Sequence, residues 1–215
     1  ITRERFALGA TRTHVTALRS TFEHYRRLSP HYAYSSSSHG NKSTQEMTLI
    51  SIPSIFYGSS IKKGSVDLKF YVTGTLVGRA QDVRRNGEII QSGPTGSTGS
   101  GSVAGVVLYD EGFIALTGSW DLTPVTYDLL GDATDKKNGA WKYFASGLHD
   151  GIAKGTETST SYELTFKGTN YIPVITMMAH ANKGELNYSN NPTYVEYSSS
   201  YNPVTSSTQY RESTK

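Results

Sequence analysis

The sequence predicts a mainly β fold: an antiparallel β-sandwich or barrel-like domain, with an N-terminal amphipathic helix and an extended C-terminal arm. Three observations carry this. Val66, Leu68, Phe70 and Val72 alternate strictly with Asp67, Lys69, Tyr71 and Thr73, the pattern of a half-buried strand with one wet face. Two turn signals, Asn86-Gly87 and Asp110-Glu111-Gly112, each separate a pair of extended runs and mark hairpins. A helical stripe opens the chain, and a polar stretch rich in Tyr, Ser and Asn closes it.

Taken in order, Val15, Leu18, Phe22 and Tyr25 recur at helical spacing, Leu28 continues the stripe, Thr13 suits a cap and Pro30 a stop. Residues 1–30 read as a helical docking segment whose Arg3, Arg5, Arg12, Arg19, Arg26 and Arg27 form a solvated basic face. The polar loop "HYAYSSSSHGNKSTQ" leads to "MTLISIPSIFY", a β-segment that Pro53 interrupts.

The glycine-rich run Ser92–Ser102 leads into "GSGSVA", Gly99–Ala104, which matches the letters of a dinucleotide-binding turn. A phosphate cradle needs a helix after the glycines, to supply backbone amides and a dipole. Val106, Val107 and Leu108 are β-formers, so the run reads as a flexible connector that enters a strand. Trp120 and Leu122 prolong the second hairpin. A second helix is expected over Trp141, Phe144, Ala145 and Leu148, capped by Asn138 and broken by Gly147 and Gly151. Tyr162, Leu164 and Phe166 alternate again, "KGTN" turns the chain, and "YIPVITMMAHA" reads as a returning strand. The β domain is thus expected over 47–186 and the arm over 187–215.

Composition narrows the chemistry. The 215 residues include no cysteine, which excludes disulfides, thiolate nucleophiles and zinc-thiolate sites. A net charge of +3 with scattered Lys and Arg, in pairs such as Lys62-Lys63, Arg84-Arg85 and Lys136-Lys137, lacks the concentrated basic face of a nucleic-acid binder. No apolar run reaches the length of a membrane span, and no signal-peptide pattern opens the chain. Ile1 at the start and "TQYRESTK" at the end suit a processed product or a part of a longer polypeptide.

His14, His24, His31, His39, His149 and His180 show no metal-ligand spacing, although His31 and His39 flank "YAYSSSS" and can meet across that loop. No serine sits on a glycine-flanked elbow. The acids Asp110, Glu111, Asp128, Asp132 and Asp135 match neither a glycosidase pair nor a calcium loop by spacing. Neither a catalytic residue, a metal nor a cofactor is therefore expected.

The surplus is tyrosine, with 15 residues. Tyr188, Tyr194, Tyr197 and Tyr201 fall in the polar arm, where they suit docking on a neighbouring chain. With Val15, Leu18, Phe22 and Tyr25 they are the expected interface residues.

The stretches "SIPSIFYGSSIKKGSVDLKFYVTGTLVGRAQDVRRNGEI", "GSVAGVVLYDEGFIALTGSWDL" and "MMAHANKGELNYSNNPTY" resemble segments of virion structural proteins of tailed bacteriophages, chiefly marine and T4-like myophages. The resemblance covers about Ser51 to Tyr201 and transfers no residue role. It implies a non-enzymatic tail, baseplate or neck component of the virion, partnered by copies of itself and by other virion structural proteins. Such proteins are usually longer, with a further domain after an arm of this kind. The alternative expectation is a receptor- or carbohydrate-binding β-domain of tail-fibre or adaptor type, for which a host-surface glycan is the partner. Trp120 and Trp141 are its aromatics to test, although both sit in apolar patterns that suit a core. A cell-wall polysaccharide hydrolase is the third, supported by unplaced carboxylates alone.

Overall fold

The computed structural model describes residues 1–131, 134–148 and 157–178. The chain divides into two compact units, Ile1–Tyr171 and Ile172–Lys215. Among its described residues the first holds fourteen strands: β1 Thr2–Phe6, β2 Ser35–Ser36, β3 Gly40–Asn41, β4 Met47–Ser51, β5 Ser60–Ile61, β6 Asp67–Val72, β7 Thr75–Gln81, β8 Glu88–Gly93, β9 Val103–Leu108, β10 Phe113–Leu116, β11 Thr126–Tyr127, β12 Lys137–Asn138, β13 Thr160–Thr165 and β14 Gly168–Thr169. Two short helices, α1 Thr13–Ala17 and α2 Arg19–Tyr25, and three 3-10 turns complete it.

Eight strands form one antiparallel sheet in the order β1-β4-β10-β9-β8-β7-β6-β13. Its centre is a meander, β6 through β10, joined by hairpins. Gly112, at φ +72°, makes the expected β9–β10 turn; a Cβ there would lie 2.5 Å from the Ile52 carbonyl oxygen. Register shifts at Phe70/Tyr71, Arg79/Ala80 and Ile89/Ile90 add unpaired residues, and such bulges bend a sheet. The result is a large curled sheet, a half-barrel with β1 and β13 at its edges.

Residues paired across an antiparallel ladder share a face. Phe6, Met47, Leu49, Ala115 and Val106 therefore lie on one face with Glu88, whose carboxylate accepts a hydrogen bond from Ser29 at 2.5 Å. The N-terminal helical segment covers that face. On the other, Thr48 donates to the Lys142 carbonyl at 2.8 Å, and Arg3 donates to the Ala145 carbonyl. The Trp141–Tyr143 turn covers it, with Phe144 between Phe70 and Tyr162 at ring distances of 5.2 and 5.3 Å.

Several expectations are corrected. Thr2–Phe6 is a strand, because each of its residues finds a partner along β4. The first helix is two pieces that meet at Leu18; Thr13 lies inside α1, and no side chain caps the start. It ends at Tyr25, and a few residues on, Pro30 holds Ser29 extended, at φ −161° and ψ 143°, so the helix cannot resume there. Val15, Phe22 and Tyr25 are buried in this unit's own core and Leu18 packs against it, so the stripe expected to dock on a neighbour is already covered.

The second helix is a single 3-10 turn, Trp141–Tyr143. Phe144 leaves it extended and Ala145 has φ +53°, while Asn138 sits in β12. The run Tyr171–Met178 forms no strand: Pro173 lacks a donor, and Ile172, Val174, Ile175, Met177 and Met178 are exposed. The expected domain boundary at 186/187 lies outside the described residues; the two compact units divide at Tyr171/Ile172. Residues 187–215, including Tyr188, Tyr194, Tyr197 and Tyr201, lie outside the described residues.

Candidate functional site

Three buried polar side chains, Arg12, Lys42 and Gln91, hold the loops of the first unit in place; of these the sequence had marked Arg12 alone, as part of an exposed basic face. The Arg12 guanidinium donates to the carbonyls of Ala7, Ala10, Lys42, Thr44 and Gln45 at 2.6 to 3.1 Å. It is 4% exposed, so this cation of the supposed basic face is an internal tie. Lys42 donates to the carbonyls of His31 and Ala33, both at 2.7 Å, and lies over the Phe22 ring. Burial pulls its ammonium down to about 8.

Gln91 is the third. Its Oε1 accepts from the indole N–H groups of Trp120, at 2.6 Å, and Trp141, at 3.0 Å. Its Nε2 donates to Ser97 Oγ and to the Thr98 carbonyl. Every hydrogen-bonding position of this amide is used, as burial demands. The glycine-rich run is thereby tied down rather than loose, and Gly99, at φ +79°, lies against the Trp120 indole where no side chain fits. Trp141 is fully buried and Trp120 half-buried, so the two indoles do not form an open sugar platform. Val103 enters β9 directly after "GSGS", so no helix follows the glycines.

His31 and His39 do meet, with ring centroids 4.3 Å apart. Burial, then the neighbouring His39, pushes the His31 imidazole below its ordinary value, while Glu88 opposes the shift. Among the described residues no group of three or more His, Asp or Glu is placed to hold a metal ion. His149, His180 and Asp132 lie outside those residues.

The concave site is a cleft of about 310 Å³ in the first unit. Four elements build it. His24, Tyr25 and Arg27 come from α2 and its C-terminal end, and Ser60, Lys62 and Lys63 from β5 and the residues after it. Tyr109 and Asp110 come from the β9–β10 turn, and Thr169 and Tyr171 from β14 and the residues after it. The β5–β14 pair frames it, since Ser60 opposes Thr169, Ile61 N–H donates to the Tyr109 carbonyl at 2.9 Å, and Tyr171 N–H donates to Ser59 Oγ at 3.1 Å.

Its electrostatics are mixed. Arg27, Lys62 and Lys63 bring positive charge, and the Lys63 ammonium lies 5.7 Å from the Tyr109 ring centroid. Asp110 is the acid among the lining residues, and it accepts from the Tyr25 hydroxyl at 3.1 Å. Burial pushes both Tyr25 and Tyr109 above the ordinary phenol range, reinforced for Tyr109 by its 2.5 Å hydrogen bond to Asp82. Both hydroxyls therefore stay protonated near neutral pH and act as donors, not as phenolate bases. This arrangement can hold a small polar molecule; it does not pair a nucleophile with a base.

Of the expected interface residues that are described, Tyr25 is the one that reaches the cleft. The Lys62-Lys63 pair was visible as sequence, but its convergence with Arg27 was not, because the whole β2–β5 stretch separates Arg27 from the pair. Comparison with protein-family models, with curated proteins and with solved structures returns no match.

Proposed function

We propose that this chain is a non-enzymatic structural subunit of a virion of the tailed-bacteriophage kind, a rigid β body that joins its neighbours through the segment following β14. The observation that carries the reading is the run Ile172–Met178. Its Ile172, Val174, Ile175, Met177 and Met178 are 81–93% exposed in a stretch without regular secondary structure. Contiguous apolar surface of this sort is costly in water and marks a site of association. The same run leads toward the tyrosine-rich residues 187–215, whose composition suits docking on another protein. Assignment to a tail, baseplate or neck comes from the sequence resemblance.

The test is truncation at Tyr171 followed by particle sedimentation. The shortened chain is expected to keep its circular dichroism and urea midpoint, yet to remain at the top of the gradient while the full chain travels with particles. A truncated chain that enters particles normally overturns the reading. So does a full chain that never leaves the top fractions.

A further inference from the structure

The chemistry of the 310 Å³ cleft points to a ligand. We propose that the cleft binds a single anionic sugar unit, a hydroxylated ring that carries a carboxylate or a phosphate.

The cations come first. Arg5, Arg26, Lys69, Arg79, Arg84, Lys137 and Lys142 are each paired with a carboxylate. Arg27, Lys62 and Lys63 take part in none of these ion pairs, yet they converge on one cleft. Arg27 meets His24, whose ring nitrogen lies 3.2 Å from Nη2. Three cations that form no ion pair among the described residues outnumber the one carboxylate of the cleft, and such an excess around a concavity attracts an anion.

Asp110 then decides what kind of anion. A bare inorganic ion gains from the cations but is repelled by this carboxylate at the same wall. A ligand that also carries hydroxyl groups turns the carboxylate into an acceptor, and Ser60 and Thr169 add hydroxyls that donate or accept. Tyr171, 70% exposed at the rim, offers an aromatic face to the C–H side of a sugar ring.

Size favours one unit. Ligand sites run from about 300 to 1,000 Å³, so this cleft stands at the small end and encloses one ring. A nucleic acid would call instead for a long basic track with several stacking rings.

The experiment is isothermal titration of the full chain with glucuronic acid and glucose 6-phosphate, set beside glucose and inorganic phosphate. Saturable binding of one or both anionic sugars is expected, about tenfold or more tighter than glucose or phosphate. The K62A/K63A double variant is expected to lose about tenfold in affinity for the anionic sugar, since charge-assisted hydrogen bonds are lost. Both lysines are exposed, so the urea midpoint of that variant should match the parent. Glucuronic acid alone binding would assign the carboxylate form, and glucose 6-phosphate alone the phosphate form. The proposal is overturned if neither anionic sugar binds, if glucose or phosphate binds as tightly as they do, or if the double variant binds as the parent does. None of these outcomes depends on particle incorporation.

Discussion

The centre of the sheet and its β13-β6-β7 end are built from the same kind of strand but meet different surroundings. In β4 and β9 the runs Met47–Ile50 and Ala104–Leu108 are buried without interruption, because the N-terminal segment covers one face and the Trp141 turn the other. In β6 burial alternates: Leu68, Phe70 and Val72 are buried, while Asp67, Lys69 and Tyr71 are half-exposed. There Arg79 grips Asp67 at 2.6 Å and Lys69 meets Glu163 at 3.0 Å on the wet face. Half-exposed ion pairs decorate one region, whereas in the other a buried polar group such as Thr48 is matched by a backbone carbonyl.

This contrast can be broken most severely at Trp141. W141A removes the largest fully buried side chain and one donor to Gln91, and should cost about 4 kcal/mol by urea unfolding. A loss within error of zero would mean that the turn does not cover that face. R12M comes next, at about 3 kcal/mol, since carbonyls of the Ala7–Gln45 region lose their buried donor. R12K should recover part of the loss, because one ammonium reaches fewer of those oxygens than a guanidinium. T48V keeps the volume at the centre of β4 but leaves the Lys142 carbonyl unmatched, and should cost about 1 kcal/mol.

A smaller effect is expected from pH. Folded His31 holds its proton less tightly than the unfolded chain does, so protonation favours unfolding. No penalty applies well above 6.5, and stability is lost as pH falls through that value. The urea midpoint should therefore drop between pH 7.5 and pH 5.5, and H31Q should flatten that part of the profile. Glu23, held below its ordinary value first by the Tyr34 N–H, adds loss of stability only nearer pH 4.5 and below. The least effect belongs to K69M on the wet face, where thermal unfolding should not shift measurably. A clear shift there would show that the β6 end depends on its ion pairs as the centre depends on its buried ties.

The same contrast explains what could be read in advance. Strict alternation in β6 and the glycine turns at Asn86-Gly87 and Asp110-Glu111-Gly112 are local features, and they appear where expected. Around Val15–Tyr25 the helical period was also legible, but its destination was not, since periodicity shows that a face is apolar without showing what it meets. At Trp141 the same pattern misled, because Trp141 and Phe144 reach the core from an extended chain that leaves after one turn. The cleft was illegible for a related reason: it is assembled from four separated elements.

By itself, then, the sequence determined the mainly β class, the hairpins, the one-sided strand β6 and the lack of thiol chemistry, all of which follow from residue type and near-neighbour spacing. Tertiary structure alone decided that Arg12, Lys42 and Gln91 become internal ties, that the N-terminal stripe is spent within its own unit, and that Arg27, Lys62 and Lys63 line one cleft. These depend on contacts between residues far apart in the chain. The energy that selects them, burial of apolar faces and pairing of buried polar groups, exists only once distant strands and loops have come together.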